Sequence, residues 1–242
     1  MDVQLYLTPF PSAETEINDK IVVVIDVLRC TTCISAALMV GARGVIPTPG
    51  PGEAVDMWTK IGPDMAILAG ERQGIKIENF QLGNSPMEFT ADAVGGKHVV
   101  MTTSNGTAAF LQATSAALTL SCSLTNITRV VDRIAVEERD LVITCAGRGG
   151  QFSIEDTICG GMVLHLLSTD KKLKLTINDA GSLALLLYRS NKNALRQTIA
   201  QGEHGRYLSQ IGFASDVTAA AVTDSMPVLP ILREGQLVAA DD

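Results

Sequence analysis

Residues that can do chemistry gather at four places in this 242-residue sequence, each directly after a run of hydrophobic residues. These places are Asp26 with Arg29, Glu71 with Arg72, the segment 103–107 (TSNGT), and the segment 145–150 (CAGRGG) followed by Glu155 and Asp156. If the hydrophobic runs are strands of an open α/β sheet, their carboxyl ends meet at one edge, where helix N-termini also expose unpaired N–H groups. The pattern therefore predicts a single site built from all four places.

The guanidinium groups in this set favour an anionic ligand. The chain carries 19 Lys plus Arg against 26 Asp plus Glu, a formal charge of −7, so a phosphorylated substrate must find its positive charge locally. Arg29, Arg72 and Arg148 can supply it in bidentate form. Gly106, just before a predicted helix, would let the backbone approach an oxyanion. The alternative is that Ser104 or Asn105 only caps that helix.

Carboxylates beside a phosphate repel it, and a bound cation would resolve that conflict. Hard oxygen ligands suit Mg²⁺, which polarises a phosphoryl oxygen and places a water molecule. We expect Mg²⁺ on Asp26, Glu155 and Asp156, and catalytic roles for Asp26, Glu71 and Glu155. Zinc is disfavoured because the three histidines are scattered. Alternatively, Glu155 and Asp156 are ordinary acids in the first turn of a helix, stabilised by its dipole.

Strand and helix patterns alternate along the chain and predict the elements that position these residues. The run at 21–25 (IVVVI) is typical of a strand buried on both faces of a parallel sheet. Further strands are predicted at 44–46, 66–69, 98–102, 118–121 and 141–144, and an edge strand at 228–232. Helices are predicted at 33–40, 53–61, 107–118, 127–137, 155–167 and, as one or two helices, 182–199, with an ordered loop at 74–86 and a frayed tail at 239–242.

This alternation predicts a layered α/β/α fold with a largely parallel or mixed sheet. The sequence has no linker and no shift in composition, so we expect one domain over residues 1–242. A division of that domain into two lobes is left open. Self-association leaves no spacing signature in such a fold, and a homodimer is therefore left open.

Several classes of partner are excluded by composition. A nucleic-acid phosphate backbone needs a basic face, and the sequence is acidic with only 4% aromatic residues for base stacking. The long uncharged stretch at 99–128 is rich in Ser, Thr, Asn and Gln, which lipid would leave without partners. The N-terminal residues lack a basic region, so we expect no secretory signal there. With five cysteines, an odd number, we expect free thiols in a reducing cytoplasm.

Spacing also excludes several phosphate-handling mechanisms. The sequence has no GxxxxGK[ST] loop. An aspartyl-nucleophile phosphatase of the DxD type would need an acid at position 28, which is Leu28. A cysteine phosphatase would need an arginine six residues after its nucleophile, and none of the five cysteines has one.

Cys30 and Cys33 form a Cys-x-x-Cys at the start of a predicted helix, where a helix N-terminus can lower the pKa of a thiol. A thiol redox protein is therefore an alternative. The middle residues Thr31 and Thr32 differ from the Gly-Pro common in such sites, and Asp26 and Arg29 fit anion or metal binding better.

These residues belong to blocks that resemble the 2-phosphosulfolactate phosphatase family and span most of the chain. The blocks are 25–32 (IDVLRCTT), 70–72 (GER), 79–86 (NFQLGNSP), 102–108 (TTSNGTA), 145–150 (CAGRGG) with Glu155 and Asp156, 204–208 (HGRYL) and 212–217 (GFASDV). The resemblance implies a cytoplasmic, Mg²⁺-dependent phosphomonoester hydrolase of coenzyme M biosynthesis, with an α/β fold of its own type. The sequence departs from the family pattern at Cys30 and Cys33.

The expected reaction is in-line attack of water on the phosphate of a small acidic substrate, helped by charge neutralisation and a carboxylate base. The arginines would hold the phosphate and the acid groups, and the cradle would be completed by Asn84, Ser85, Asn105, Gly106 and Thr107. His204 would either protonate the leaving group or cap the following helix. The alternative function is a non-catalytic protein that binds a phosphorylated acid.

Overall fold

The computed structural model describes residues 1–11 and 17–240. The strands are β1 (Asp2–Tyr6), β2 (Ile21–Ile25), β3 (Gly44–Pro47), β4 (Ala66–Arg72), β5 (Ile75–Lys76), β6 (His98–Thr102), β7 (Leu118–Cys122), β8 (Leu141–Cys145), β9 (Thr176–Ile177), β10 (Pro230–Arg233) and β11 (Gln236–Ala239). The helices are α1 (Cys30–Met39), α2 (Pro51–Ile61), α3 (Ala91–Val94), α4 (Gly106–Gln112), α5 (Ile127–Ala135), α6 (Ile154–Thr169), α7 (Asp179–Asn191), α8 (Leu195–Gln201), α9 (Glu203–Gln210) and α10 (Ala214–Ala220).

The strands of the described residues form one mixed sheet in the order β5-β4-β6-β3-β11-β10-β7-β2-β8-β1-β9. β2 pairs in parallel with β7 and β8, and β6 pairs in parallel with β3 and β4. The antiparallel β10–β11 hairpin joins these two parallel groups. The predicted layered α/β architecture is confirmed.

β2 lies at the centre of one parallel group, and all five of its residues are buried. Its side chains alternate between the faces of the sheet. Val23 packs in a core cluster with Ile158 of α6, whereas Val24 packs in a second cluster with Ile34 of α1. Because helices cover both faces, a run of β-branched residues suits this strand better than an alternating pattern.

The prediction of an edge strand at 228–232 is wrong. The strand begins at Pro230 and lies inside the sheet, where Ile231 is opposite Val238 of β11 and Leu120 of β7. Its pairing with β11 is local, but its pairing with β7 joins distant parts of the sequence. The prediction of a frayed tail at 239–242 is wrong at its start, because Ala239 pairs with Pro230; residues 241–242 lie outside the described residues.

Other differences concern element ends and short elements. α1 begins at Cys30 rather than at residue 33, and α4 ends at Gln112 rather than at residue 118. The predicted loop at 74–86 contains the two-residue β5. β1 was not predicted, although it pairs along its length with β8. Within the described residues, no helix combines the length and apolar character needed to cross a membrane.

Candidate active site

The carboxyl ends of β2, β4, β6 and β8 surround a cavity of about 410 Å³. Six of the residues predicted from the sequence line it: Asp26, Arg29, Glu71, Asn84, Asn105 and Arg148. A second cavity of about 460 Å³ shares Arg148, Gly149 and His204 with the first and is lined by Glu155. The four strand ends therefore meet as the sequence predicts, around two adjoining cavities.

Asp26 directly follows β2 and is only 6% exposed. Its Oδ1 accepts a 3.1 Å hydrogen bond from the backbone N–H of Cys30 at the start of α1. Its Oδ2 lies against Gly106, where an added Cβ would be 2.5 Å away. The glycine at position 106 is thus required by close packing against the carboxylate rather than by its backbone angles.

Burial raises the pKa of Asp26 from 3.8 to about 6. The Cys30 N–H bond and the charge of His204 act in the opposite direction, while the nearby carboxylates Glu71 and Glu155 raise this pKa further. The other groups of the protein therefore balance the negative charge of ionised Asp26 only poorly.

Glu155 lies in the first turn of α6 and is 1% exposed. His204 Nδ1 is 3.3 Å from Glu155 Oε1, a distance at which charges interact. The contact lacks hydrogen-bond geometry, and neither oxygen of Glu155 has a hydrogen-bond partner among the described residues. Buried carboxylate oxygens without partners are costly, which makes this side chain fit a bound cation.

The carboxylates of Asp156 and Glu71, unlike that of Glu155, are bound by backbone N–H groups. The two oxygens of Asp156 accept hydrogen bonds from the backbone N–H groups of Val27 (2.8 Å) and Gly147 (3.1 Å). Those of Glu71 accept from the N–H groups of Ser104 and Gly74, both at 2.7 Å. Burial, reinforced by Asp26 and Glu155, still raises the pKa of Asp156 well above its usual value. These two carboxylates hold loops together at the sheet edge.

The three predicted arginines have different surroundings. Arg29 donates to Asp216 Oδ2 (2.8 Å) and to the carbonyl of Gly74 (2.7 Å), and its guanidinium lies 4.3 Å from the centre of the Phe213 ring. Arg72 donates to the carbonyl of Glu71 and to Thr102 Oγ1 and is not among the residues lining the cavity. Arg29 therefore lies at the cavity wall, whereas Arg72 does not line the cavity.

Arg148 lies between the two cavities. Its guanidinium is 4.4 Å from the centre of the Tyr207 ring, and Nη1 is 3.2 Å from Glu203 Oε1. Its ion pair is the most exposed of the contacts made by the three arginines, because Glu203 is 82% exposed.

Of the predicted cradle residues, Asn84 and Asn105 line the first cavity, whereas Ser85, Gly106 and Thr107 are not among its lining residues. Asn84 is 5% exposed and its Oδ1 has no hydrogen-bond partner within the described part of the chain. Ser85 Oγ donates to Asp216 Oδ1 (2.7 Å), and Asn105 Oδ1 accepts from the N–H of Gly149 (3.2 Å). Thr107 exchanges hydrogen bonds with Thr103.

The expectation that His204 caps a helix is wrong. Gly202 is at the N-cap of α9, and His204 is the second residue of that helix. Its side chain faces Glu155 and lines both cavities.

Two further site residues were not predicted. Asp216 binds Arg29 and Ser85, and Tyr207 Oη donates to the carbonyl of Gln73 at the cavity rim (2.8 Å). The blocks GFASDV and HGRYL, which contain these residues, were the only sequence signal for them.

The five cysteines are buried and form no disulfide. Burial raises the pKa values of Cys30 and Cys33 well above their usual value. Cys33 Sγ donates to the carbonyl of Asn84. These surroundings favour small core thiols over a reactive pair, because a reactive thiol needs exposure and a lowered pKa.

Comparison with known proteins shows the family to which the chain belongs. The family model described as 2-phosphosulpholactate phosphatase matches residues 6–235. Similar proteins named probable 2-phosphosulfolactate phosphatase occur in Clostridium acetobutylicum, at 34% identity over 98% of this chain and 100% of the relative, and in Caldanaerobacter subterraneus subsp. tengcongensis, at 34% identity over 100% of both. A relative of the same name from Symbiobacterium thermophilum is 37% identical over 94% of this chain and 97% of its own length. The chain therefore belongs to the 2-phosphosulfolactate phosphatase family and is a phosphoric monoester hydrolase.

Proposed function

We propose that this protein hydrolyses 2-phosphosulfolactate to sulfolactate and inorganic phosphate with the help of Mg²⁺. The names of the full-length relatives support the substrate. The observation that carries the metal-assisted reaction is the pair of buried carboxylates Asp26 and Glu155 beside the cavities. Neither oxygen of Glu155 has a hydrogen-bond partner among the described residues, and the backbone N–H of Cys30 binds only Oδ1 of Asp26.

The donor set fits a magnesium ion. In residues 1–11 and 17–240, no three His, Cys, Asp or Glu side chains converge as a closed metal centre requires. Mg²⁺ is commonly held by one or two carboxylates, with water and substrate phosphate oxygens completing its shell. Asp26 and Glu155 would hold the ion here, since both oxygens of Asp156 are already bonded to backbone N–H groups. When bound, Mg²⁺ neutralises the phosphate charge and polarises a phosphoryl oxygen.

The chain's own residues orient the ester. Arg148 lies at the junction of the cavities, where it can contact an anionic group, and Asn84 lines the wall of the first cavity. Arg29 donates to the carbonyl of Gly74 and Glu71 accepts from its N–H, and together they fix the hairpin that closes one side of the cavity. Positioned groups of this kind account for much of the rate enhancement in phosphoryl transfer.

Hydrolysis forms a bond from a water oxygen to phosphorus and breaks the ester P–O bond, while a water proton ends on the leaving alkoxide. Of the four predicted carboxylates, only Asp26 and Glu155 keep at least one oxygen that accepts no hydrogen bond from a backbone N–H group of residues 1–11 and 17–240. Acceptance of the water proton therefore falls to this pair.

The test is phosphate release from 2-phosphosulfolactate by the purified protein. We expect release with Mg²⁺ and none with excess EDTA, together with a higher kcat/KM than for a generic aryl phosphate. Saturable binding without release would support a phospho-acid binding protein instead, and EDTA-resistant release would contradict the metal-assisted reaction.

A further inference from the structure

The three arginines near the cavity differ in what their guanidinium groups can still bind. Arg29 and its partner Asp216 are 2% and 1% exposed, and a buried ion pair of this kind is broken only at high cost. Arg72 is bonded to Glu71 and Thr102 and does not line the cavity. Neither group can turn towards a ligand without leaving a buried partner unsatisfied.

Arg148 has an exchangeable partner. Its ion pair with Glu203 spans 3.2 Å, with side chains 32% and 82% exposed. Pairs this exposed contribute little to stability, so a ligand anion can replace Glu203 at small cost. The Tyr207 ring, 4.4 Å away, supports the guanidinium whichever anion it binds.

The backbone that carries Arg148 is fixed. Arg148 N donates to the carbonyl of Gln151, and Gln151 N donates back to the carbonyl of Arg148. Between them Gly149 and Gly150 have φ angles of 57° and 78°, a turn that favours glycine. Asn105 Oδ1 also accepts from Gly149 N. A fixed backbone with a partly exposed, stacked guanidinium is well suited to selecting a ligand.

We infer that Arg148 is the specificity-determining residue of the site: it binds the second anionic group of the substrate, a carboxylate or sulfonate, in exchange for Glu203. This inference rests on the proposed function. With the phosphate held near Asp26 and Glu155, Arg148 at the junction of the cavities lies within the same small site. Glu203 then acts as a competing internal anion, which the second anionic group of the substrate has to displace from Arg148.

The experiment compares two substrates that differ in one charge, 2-phospholactate and the phosphate ester of lactamide. Phosphate release is measured with Mg²⁺, and binding is measured by calorimetry with Ca²⁺ in its place. For Arg148→Gln we expect kcat/KM for phospholactate to fall about 10- to 100-fold, mostly through KM, as for loss of a charge-assisted hydrogen bond. In the same variant, kcat/KM for phospholactamide should change by less than about threefold.

Glu203→Gln should change the preference for phospholactate over phospholactamide in the opposite direction to Arg148→Gln. Removing the competing anion should raise the phospholactate to phospholactamide ratio of kcat/KM by about two- to fivefold, the range for an exposed ion pair. The matched control is Arg133→Gln, which breaks the exposed Arg133–Glu137 pair on α5 and should leave the ratio unchanged.

The outcomes separate this inference from the proposed function. An equal loss for both substrates in Arg148→Gln would overturn the inference while hydrolysis continued, because Arg148 would then serve the phosphate. If no variant releases phosphate but Arg148→Gln still removes the preference for phospholactate in calorimetry, the inference stands and the proposed hydrolysis fails.

Discussion

Asp216 binds Arg29 across 187 residues of sequence: Arg29 Nη1 donates a 2.8 Å hydrogen bond to Asp216 Oδ2, and both side chains are almost completely buried. The second oxygen of Asp216 accepts from Ser85. Arg29 in turn donates to Gly74, whose N–H is bound by Glu71. A continuous set of buried hydrogen bonds thus connects three loops of the cavity wall, and Asp216 supplies the negative charge that Arg29 needs.

Asp216→Asn should strongly destabilise the fold, because it leaves Arg29 buried without a counter-charge. We expect the free energy of unfolding in urea to fall by about 3–5 kcal/mol. The matched control is Ser85→Ala, which removes the other hydrogen bond to Asp216 but keeps the ion pair, and should cost about 1 kcal/mol. Equal effects of the two substitutions would show that the ion pair does not hold this wall.

Asp26→Asn should stabilise the metal-free protein at neutral pH while abolishing activity. The folded protein raises the pKa of Asp26 from 3.8 to about 6, so it binds this proton more tightly than the unfolded chain does. The wild type therefore loses stability from this group as pH rises from about 4 to 6, by about 2–3 kcal/mol in all.

The asparagine does not titrate and avoids that loss. The gain of Asp26→Asn in free energy of unfolding should be full at pH 7.5 and small at pH 4, as urea titrations in EDTA would show. A destabilised variant at pH 7.5, or a gain that grows towards low pH, would contradict the assigned environment of Asp26.

Gly106→Ala should lower kcat/KM about a hundredfold, the effect of a displacement of about 1 Å at a reacting group. The added Cβ would lie 2.5 Å from Asp26 Oδ2 and 2.6 Å from Cys30 Cβ, so the carboxylate has to move. The control is Gly52→Ala in α2, where an added Cβ meets nothing within 4 Å and activity should be unchanged. Full activity of Gly106→Ala would remove Asp26 from its catalytic position.

Thiol reagents should leave the native enzyme active. Cys30 and Cys33 are buried and burial raises their pKa values, so iodoacetamide should modify neither within hours, as mass spectrometry of the native protein would show. Rapid modification of Cys30 with matching loss of activity would support the thiol alternative.

Local patterns predicted much of the sheet and the place of the site. The buried run of β2 and the polar residues directly after it can be recognised from a few consecutive residues. The structure places Asp26, the first of those polar residues, at the cavity. Contacts between residues that are far apart in the sequence leave no such local pattern. No local pattern indicates that β10 lies inside the sheet, because its contact with β7 joins distant segments. The same holds for Asp216, because its partner Arg29 lies far away in sequence.

The sequence also cannot distinguish adjacent side chains on a helix. Glu155 and Asp156 are neighbours in the first turn of α6. Glu155 keeps both oxygens free of hydrogen bonds within the described residues, whereas Asp156 is bonded to two loops. Only the direction of each side chain in the folded protein separates a candidate metal ligand from a residue that holds loops.

The central claim is that Asp26 and Glu155 hold a divalent cation, and calorimetric titration of Mg²⁺ into the purified protein tests it most directly. We expect saturable binding that weakens as pH falls below about 6, because protons compete for Asp26. Asp26→Asn and Glu155→Gln should each abolish it, while Asp92→Asn, at an exposed acid on α3, should bind as the wild type does. Wild-type Mg²⁺ affinity in both Asp26→Asn and Glu155→Gln would contradict the account.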